Sequence, residues 1–279
     1  MKRIVTIQDI SCVGKCSLTV ALPIISAMGV ETAVVPTAVL STHTAFKGFT
    51  FRDLTSDIKP ISEHWKKEKI DFDAIYTGYL GSFEQLNLVS EFFSDYKTND
   101  NIIFVDPVMA DNGKLYPGFT QEFADKMAQL CSKADIIVPN LTEASFMLGI
   151  DYAGDNYDDE YIRNVLKKLS KLGVPHVVLT GVSFKPDELG VMAYNAETDE
   201  FFSYFSEKIP ASFHGTGDIF ASCCVGALMN GFSLNEALKI AVDYTVESIR
   251  KTVEDKNHRW YGVNFESAIP YLVNRIAKG

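Results

Sequence analysis

The chain has 279 residues, 47% of them hydrophobic and 22% charged, which is enough apolar material for a sizeable α/β core and ordinary for a globular protein. Its 26 Lys and Arg stand against 36 Asp and Glu, and the net charge of −10 argues against a nucleic-acid partner held through phosphates. No apolar run reaches the roughly 18 residues of a membrane span. The opening Met-Lys-Arg runs at once into a strand pattern, and Cys12, Cys16, Cys131, Cys223 and Cys224 have neither CxxC spacing nor histidine partners. A cytoplasmic protein with free thiols and no membrane or nucleic-acid partner is expected.

Taken in order, short Val/Ile-rich runs at 4–7, 32–36, 74–77, 102–106, 136–139 and 177–180 read as strands buried on both faces. Helical periodicity fills the gaps at 17–28, 83–96, 121–131, 142–148 and 157–172, the last stopped by Gly173. That alternation predicts an α/β fold with an open, mostly parallel central sheet, helices on both faces and right-handed crossovers. Segment 39–53 breaks the pattern with Thr, His, Phe, Gly and Arg in no helical period, and reads as a short strand-and-loop lid excursion over the sheet edge. Later, 190–195 and 200–205 read as a late antiparallel hairpin, followed by helices from 219, at 235–253 and at 265–277. No repeat or linker interrupts the chain, so a single domain over 1–279 is expected.

The stretch Phe213-His214-Gly215-Thr216-Gly217-Asp218 turns from a loop directly into an apolar helix. A helix N-terminus leaves about four N–H groups without partners and carries partial positive charge, so glycines there admit a phosphoryl oxygen close to the amides. A carboxylate held ionised by that N-terminus, Asp218, can take a proton from an attacking hydroxyl; Thr216 or Asp218 serving as an N-cap explains the same spacing. Gly14-Lys15-Cys16-Ser17 fails as a Walker A motif, because Asp9 stands where glycine and Cys16 where Ser or Thr is needed, and Lys15 reads as a solvated residue at a helix start. Asp106 and Asp111 follow a central strand at the sheet edge where ligands bind, two carboxylates suited to Mg²⁺, although a turn at 111–113 accounts for Asp111 equally well. Asn140 and Glu143 have capping-box spacing; their place at the same edge offers a second role, with Glu143 orienting a metal-bound water and Asn140 reaching a nucleotide phosphate. Thr180 and Gly181 end another strand there. Ser11, His43, Thr44 and Tyr79, at or after strand ends, supply hydroxyls and aromatic faces without charge, as a small neutral alcohol requires.

Together these motifs resemble the ribokinase superfamily and, within it, the pyridoxal kinases, over essentially the whole chain. Gly215-Thr216-Gly217-Asp218 resembles the superfamily's anion hole and base, and Asn140-Leu141-Thr142-Glu143 its Asn-x-x-Glu metal motif. Ser41-Thr42-His43-Thr44, Gly78-Tyr79-Leu80-Gly81-Ser82 and Asp106-Pro107-Val108-Met109 resemble pyridoxal kinase segments. The resemblance implies phosphorylation by ATP of the 5′-hydroxymethyl group of pyridoxal, pyridoxine or pyridoxamine, with Mg²⁺, a monovalent cation as a further candidate, and a homodimer. It places Ser11 and Thr44 on the polar groups of the pyridine ring, His43 and Tyr79 beside the ring, and Asp218 as base. Gly215, Thr216 and Gly217 supply the anion hole, Asp106, Asp111 and Glu143 surround magnesium, and Asn140, Thr180 and Gly181 meet ATP. Thr42, Phe46 and Ala110 depart from the pyridoxal kinase pattern and bear on vitamer preference. A hydroxymethylpyrimidine kinase, a sugar kinase of the same fold and a non-catalytic vitamer-binding protein are the alternatives.

Overall fold

The computed structural model describes residues 1–277 and resolves the alternation into two units, one formed by residues 1–76 with the chain from Ile209 onward, the other by residues 77–208. In the first unit β1 (Arg3–Ser11), α1 (Leu18–Ala27), β2 (Glu31–Leu40), β3 (Phe51–Asp53), α2 (Thr55–Lys67) and β4 (Ala74–Thr77) follow one another, with strand order β4-β1-β2-β3. β1 and β2 are parallel, and their ends meet at Ser11 and Leu40. The chain returns to this unit as α7 (Thr216–Met229), α8 (Leu234–Glu254), a 3₁₀ turn at Phe265–Ala268 and α9 (Ile269–Ile276).

The second unit holds α3 (Phe83–Tyr96), β5 (Ile102–Val105), β6 (Ala110–Asp111), β7 (Lys114–Leu115), α4 (Gln121–Cys131), β8 (Ile136–Ile137), α5 (Leu141–Leu148) and α6 (Asp159–Ser170). β9 (His176–Val182), β10 (Glu188–Asn195) and β11 (Glu200–Glu207) complete it, in strand order β11-β10-β9-β8-β5. β5, β8 and β9 run parallel, whereas β9, β10 and β11 are antiparallel, as the hairpin pattern predicts.

Helix boundaries follow the capping chemistry. Ser82 and Thr120 accept the N–H of Gln85 and Phe123, so α3 and α4 begin where the sequence places them. Helix α7 differs: its residues from Ile219 to Ala227 are buried, because it packs on both α1 and α8. Gly226 permits the α1 approach, since a Cβ there would stand 2.5 Å from Met28 Sδ, and Asn230 Nδ2 donates to the Met28 carbonyl at 3.0 Å.

Three features differ from the sequence pattern. Helix α2 has no counterpart in it, because Pro60 interrupts its periodicity and it buries only Thr55, Ile58 and Ser62. Asn112 and Gly113, both at positive φ (51° and 74°), close a two-residue hairpin between β6 and β7, the turn that Asn-Gly favours. The C-terminal helix is split, a 3₁₀ turn passing into α9 where Pro270 begins the new segment without an N–H. The Tyr244 hydroxyl on α8 anchors this C-terminal stretch by donating to the buried Phe265 carbonyl at 3.0 Å. Tyr244→Phe leaves that carbonyl without its donor, and denaturant titration is expected to register a loss of about 1–3 kcal/mol.

Candidate active site

In the first unit the site is built around the start of α7. Gly215 occupies the N-cap position in the left-handed conformation (φ 84°), and no side chain caps the helix. A Cβ at Gly215 would stand 2.1 Å from the Lys15 carbonyl oxygen, so both φ and contact demand glycine. At Gly217, by contrast, a Cβ meets nothing within 4 Å; the fold itself does not require glycine there. Capping therefore does not explain Thr216 or Asp218. Thr216 Oγ1 turns back toward the Phe213 carbonyl at 3.5 Å.

Asp218 lies in the first turn of α7 with its carboxyl group in protein surroundings that push its pKa up to about 7. Burial is the main cause and the charge of Asp9 adds to it, while the polarity of the nearby Ser17 backbone N–H opposes both. Desolvation thus works against the ionised form that the helix N-terminus favours at this position. Asp9, at the end of β1, is itself buried, accepts the Ser11 hydroxyl at 3.1 Å, and has its pKa raised by burial. Cys16 completes the cluster, its thiol pushed up to about 12 by burial first and by Asp218 and Asp9 next.

The excursion after β2 covers this cluster's flank. β3 pairs antiparallel with β2 from Ala38↔Asp53 to Leu40↔Phe51, and the intervening loop carries His43 and Thr44. His43 is buried, its Nδ1 accepts the Ala45 N–H at 3.1 Å, and Nε2 is left to donate to the Tyr261 carbonyl at 3.0 Å. Burial lowers its pKa, which keeps the ring neutral in that arrangement. Phe46 meets Trp260 at 4.5 Å between centroids, and His43 lies 5.1 Å from His214. His43 therefore staples the excursion to the 260–261 loop, and exposed Thr44 follows it. Ser11, whose hydroxyl is given to Asp9, is buried as the partner of that carboxylate. Lys15 is not a solvated helix-start residue: its backbone has φ 52° and its ammonium bonds Asn264 and Glu266 at 3.0 and 2.9 Å.

In the second unit, Asp106, Asn140 and Thr180 stand at the C-terminal ends of three adjacent parallel strands; Asn140 and Thr180 form a parallel bridge beyond β8 and β9. Asn140 caps α5, and with Glu143 completes the capping box: Asn140 Oδ1 accepts the Glu143 N–H and Glu143 Oε2 the Asn140 N–H, each at 2.9 Å. The same helix end grips the 109–113 segment. Met109 N–H donates to Glu143 Oε1 at 3.1 Å, Asn140 Nδ2 to the Ala110 carbonyl at 2.9 Å, and Gly113 N–H to Thr142 Oγ1 at 3.0 Å. Asp106 is buried, while Asp111 is exposed and accepts from Asn112. Glu143 is buried and its pKa is raised, by burial first and by the charge of Asp111 after it. Tyr79 is half-buried against Phe119, at 5.7 Å between ring centroids, and Gly181 (φ 70°) has nothing within 4 Å of a notional Cβ.

Local sequence patterns alone miss Asp9 and Ser17. A signal existed: Thr6, Gln8 and Asp9 are polar residues set among Ile4, Val5, Ile7 and Ile10 in β1, and all three are buried. The three metal candidates do not form a preassembled cage, since among the described residues no group of three or more His, Cys, Asp or Glu could hold a metal ion. Their donor set nonetheless fits Mg²⁺, which binds through one or two carboxylates with substrate phosphates and water, and a cation would relieve the like charges around buried Glu143.

This fold and these motifs define a kinase family. Residues 22–261 match the phosphomethylpyrimidine kinase family model, and the chain belongs to that family. Within it the chain is similar to pyridoxal kinases. That of Dictyostelium discoideum is 26% identical over 255 residues, covering 86% of this chain and 81% of the relative. The solved pyridoxal kinase of Lactobacillus plantarum is 29% identical with a TM-score of 0.89, covering 98% of this chain and 97% of its own. A Bacteroides thetaiotaomicron protein solved with pyridoxal is 40% identical, with a TM-score of 0.92 over 97% of this chain and 95% of its own. The fold class is accordingly the ribokinase-like one, an open and mostly parallel α/β sheet.

The two glycines of the α7 entrance separate structure from ligand binding. Gly215→Ala introduces strain and a backbone collision, and is expected to destabilise the protein by about 1–3 kcal/mol in denaturant titration. Gly217→Ala is expected to leave the unfolding midpoint within the error of the same measurement.

Proposed function

We infer that this chain is an ATP-dependent kinase of vitamin B6 vitamers, transferring the γ-phosphoryl of ATP to the 5′-hydroxymethyl of pyridoxal, pyridoxine or pyridoxamine. The observation that carries the reading is the start of α7: a helix N-terminus that no side chain caps, an open Gly217, and a carboxyl group with a pKa near 7 in its first turn. The pyridoxal kinases to which the chain is similar support the substrate class.

In the proposed mechanism Thr216, Gly217 and Gly215 offer backbone N–H groups to the transferring phosphoryl, whose charge the helix N-terminus stabilises. Asp218 accepts the proton of the attacking hydroxyl at its carboxylate oxygen. Phosphoryl transfer passes through a loose transition state, so a base of this strength suffices and positioning carries most of the rate. Asn140, Thr180 and Gly181 are the proposed contacts of the nucleotide phosphates. Mg²⁺, when bound near Asp106, Asp111 and Glu143, supplies charge neutralisation on those phosphates. Ser11, His43, Thr44 and Tyr79 are assigned to the vitamer side. Since His43 spends both ring nitrogens on backbone groups, its contribution there is to hold the excursion in place. A homodimer and a monovalent cation remain part of the proposal from the family resemblance.

ADP release with Mg-ATP against pyridoxal, pyridoxine, pyridoxamine and hydroxymethylpyrimidine tests the reading. Turnover of a B6 vitamer is the expected result; turnover of the pyrimidine alone would move the substrate, and turnover of neither would refute the kinase. Asp218→Asn is expected to keep the fold and lower kcat by about 10²–10⁴. Because the base must be ionised and its pKa is raised, kcat/KM is expected to fall as pH drops below about 7, with slope one on a logarithmic plot.

A further inference from the structure

The excursion after β2 reverses at His43–Phe46. The Phe46 N–H donates to the His43 carbonyl at 3.1 Å, which closes a turn with Thr44 and Ala45 at its centre. Both corners of that turn are held. At the first, the His43 N–H donates to the Val13 carbonyl at 3.1 Å, the ring bonds the Tyr261 carbonyl at 3.0 Å, and a Cβ on Gly14 would stand 2.4 Å from the same ring. At the second, Phe46 packs on Trp260 and Tyr261, with ring centroids 4.5 and 5.6 Å away. Thr44 lies exposed between the two corners. Trp260 belongs to the loop after α8, which Asp255 organises: its carboxylate accepts from the Asn257 N–H at 2.9 Å and from Asn264 Nδ2 at 3.0 Å, and its carbonyl accepts the His258 N–H at 3.0 Å. The Trp260 ring meets Phe46, His43 and its neighbour Tyr261, yet it stays 58% exposed. A tryptophan left this far in water adds little to a core; what it holds is the turn.

We propose that Trp260 is a positioning residue for the vitamer side of the site: it keeps Phe46 in place and so fixes the turn that presents Thr44. This rests on the assignment of Thr44 to the vitamer in the kinase reading. Two further observations carry it. The turn adjoins the entrance to α7, because His43 lies 5.1 Å between ring centroids from His214, the residue before Gly215. Phe46 is also one of the positions at which the chain departs from the pyridoxal kinase pattern, and the ring found there is the one on which Trp260 packs. The proposed nucleotide contacts Asn140, Thr180 and Gly181 are carried by α5 and β9, elements that Trp260 does not hold. Loss of the Trp260 ring therefore bears on the vitamer and not on ATP.

The test is kcat, KM for ATP and KM for the vitamer that the wild type turns over fastest, measured for Trp260→Ala, Trp260→Phe, Phe46→Ala and the double alanine variant, each with its unfolding midpoint. Trp260→Ala is expected to raise the vitamer KM about three- to tenfold, the loss of one aromatic pair, with KM for ATP within about twofold of wild type. Trp260→Phe, which keeps a ring against Phe46, is expected to fall between the two. Phe46→Ala removes the same contact from the other side, so the double variant is expected to match the larger single effect and not their product. A vitamer KM unchanged in folded Trp260→Ala, or a KM for ATP that rises equally, overturns the proposal; if that variant does not fold, the same comparison in Phe46→Ala decides. Single effects that multiply in the double variant also overturn it, because Trp260 would then not act through Phe46. A wild type that turns over no vitamer removes the kinase reading and this proposal with it, so the two failures are distinct.

Discussion

The contact on which the candidate site depends is the one between Gly215 and the Lys15 carbonyl. Only a residue without a Cβ, in the left-handed conformation, lets the chain enter α7 this close to the loop before α1. The approach brings the start of α7 to the loop before α1, where burial and the charge of Asp9 raise the pKa of Asp218. From the other side Lys15 is fixed by Asn264 and Glu266, and a Cβ on Gly262 would collide with the Lys15 side chain at 2.6 Å. The C-terminal stretch, itself tied down by Tyr244, thus helps decide where the proposed base stands.

A second constraint orders the other group of candidate residues. The α5 capping box is more than a helix start, because Glu143 and Asn140 each spend a remaining polar atom on the segment that follows Asp106. Burying a glutamate is costly unless its oxygens are satisfied, and two backbone N–H groups meet that need while its pKa rises. The same residues can therefore serve the fold and lie ready for a cation. Capping and metal chemistry are compatible readings of Asn140 and Glu143.

Much of this was legible in the chain. The strands carried continuous Val/Ile runs, the α3 and α4 boundaries followed Ser82 and Thr120, and Gly215 to Asp218 stood out because glycines at an apolar helix start have few structural uses. Helix α2 was hidden by Pro60 and a thin buried face. The influence of Asp9 on Asp218 was hidden for a different reason: it joins the first strand to a helix far later in the chain, and no local spacing encodes such a pairing. Ser11 and His43 were recognised as residues at strand ends, yet their partners, Asp9 and the backbone of 261, come from tertiary packing that periodicity does not report.

The central claim is that the carboxyl group at the start of α7 is held in a desolvated, like-charged environment that makes it a base near neutrality. Carbon-13 NMR of aspartate carboxyl groups across a pH titration, with Asp218→Asn to assign the resonance, measures this directly on the ligand-free protein. The account predicts one carboxyl with a midpoint near 7 that disappears in the variant. A resonance assigned to Asp218 that titrates in the ordinary aspartate range, about 4, would contradict it.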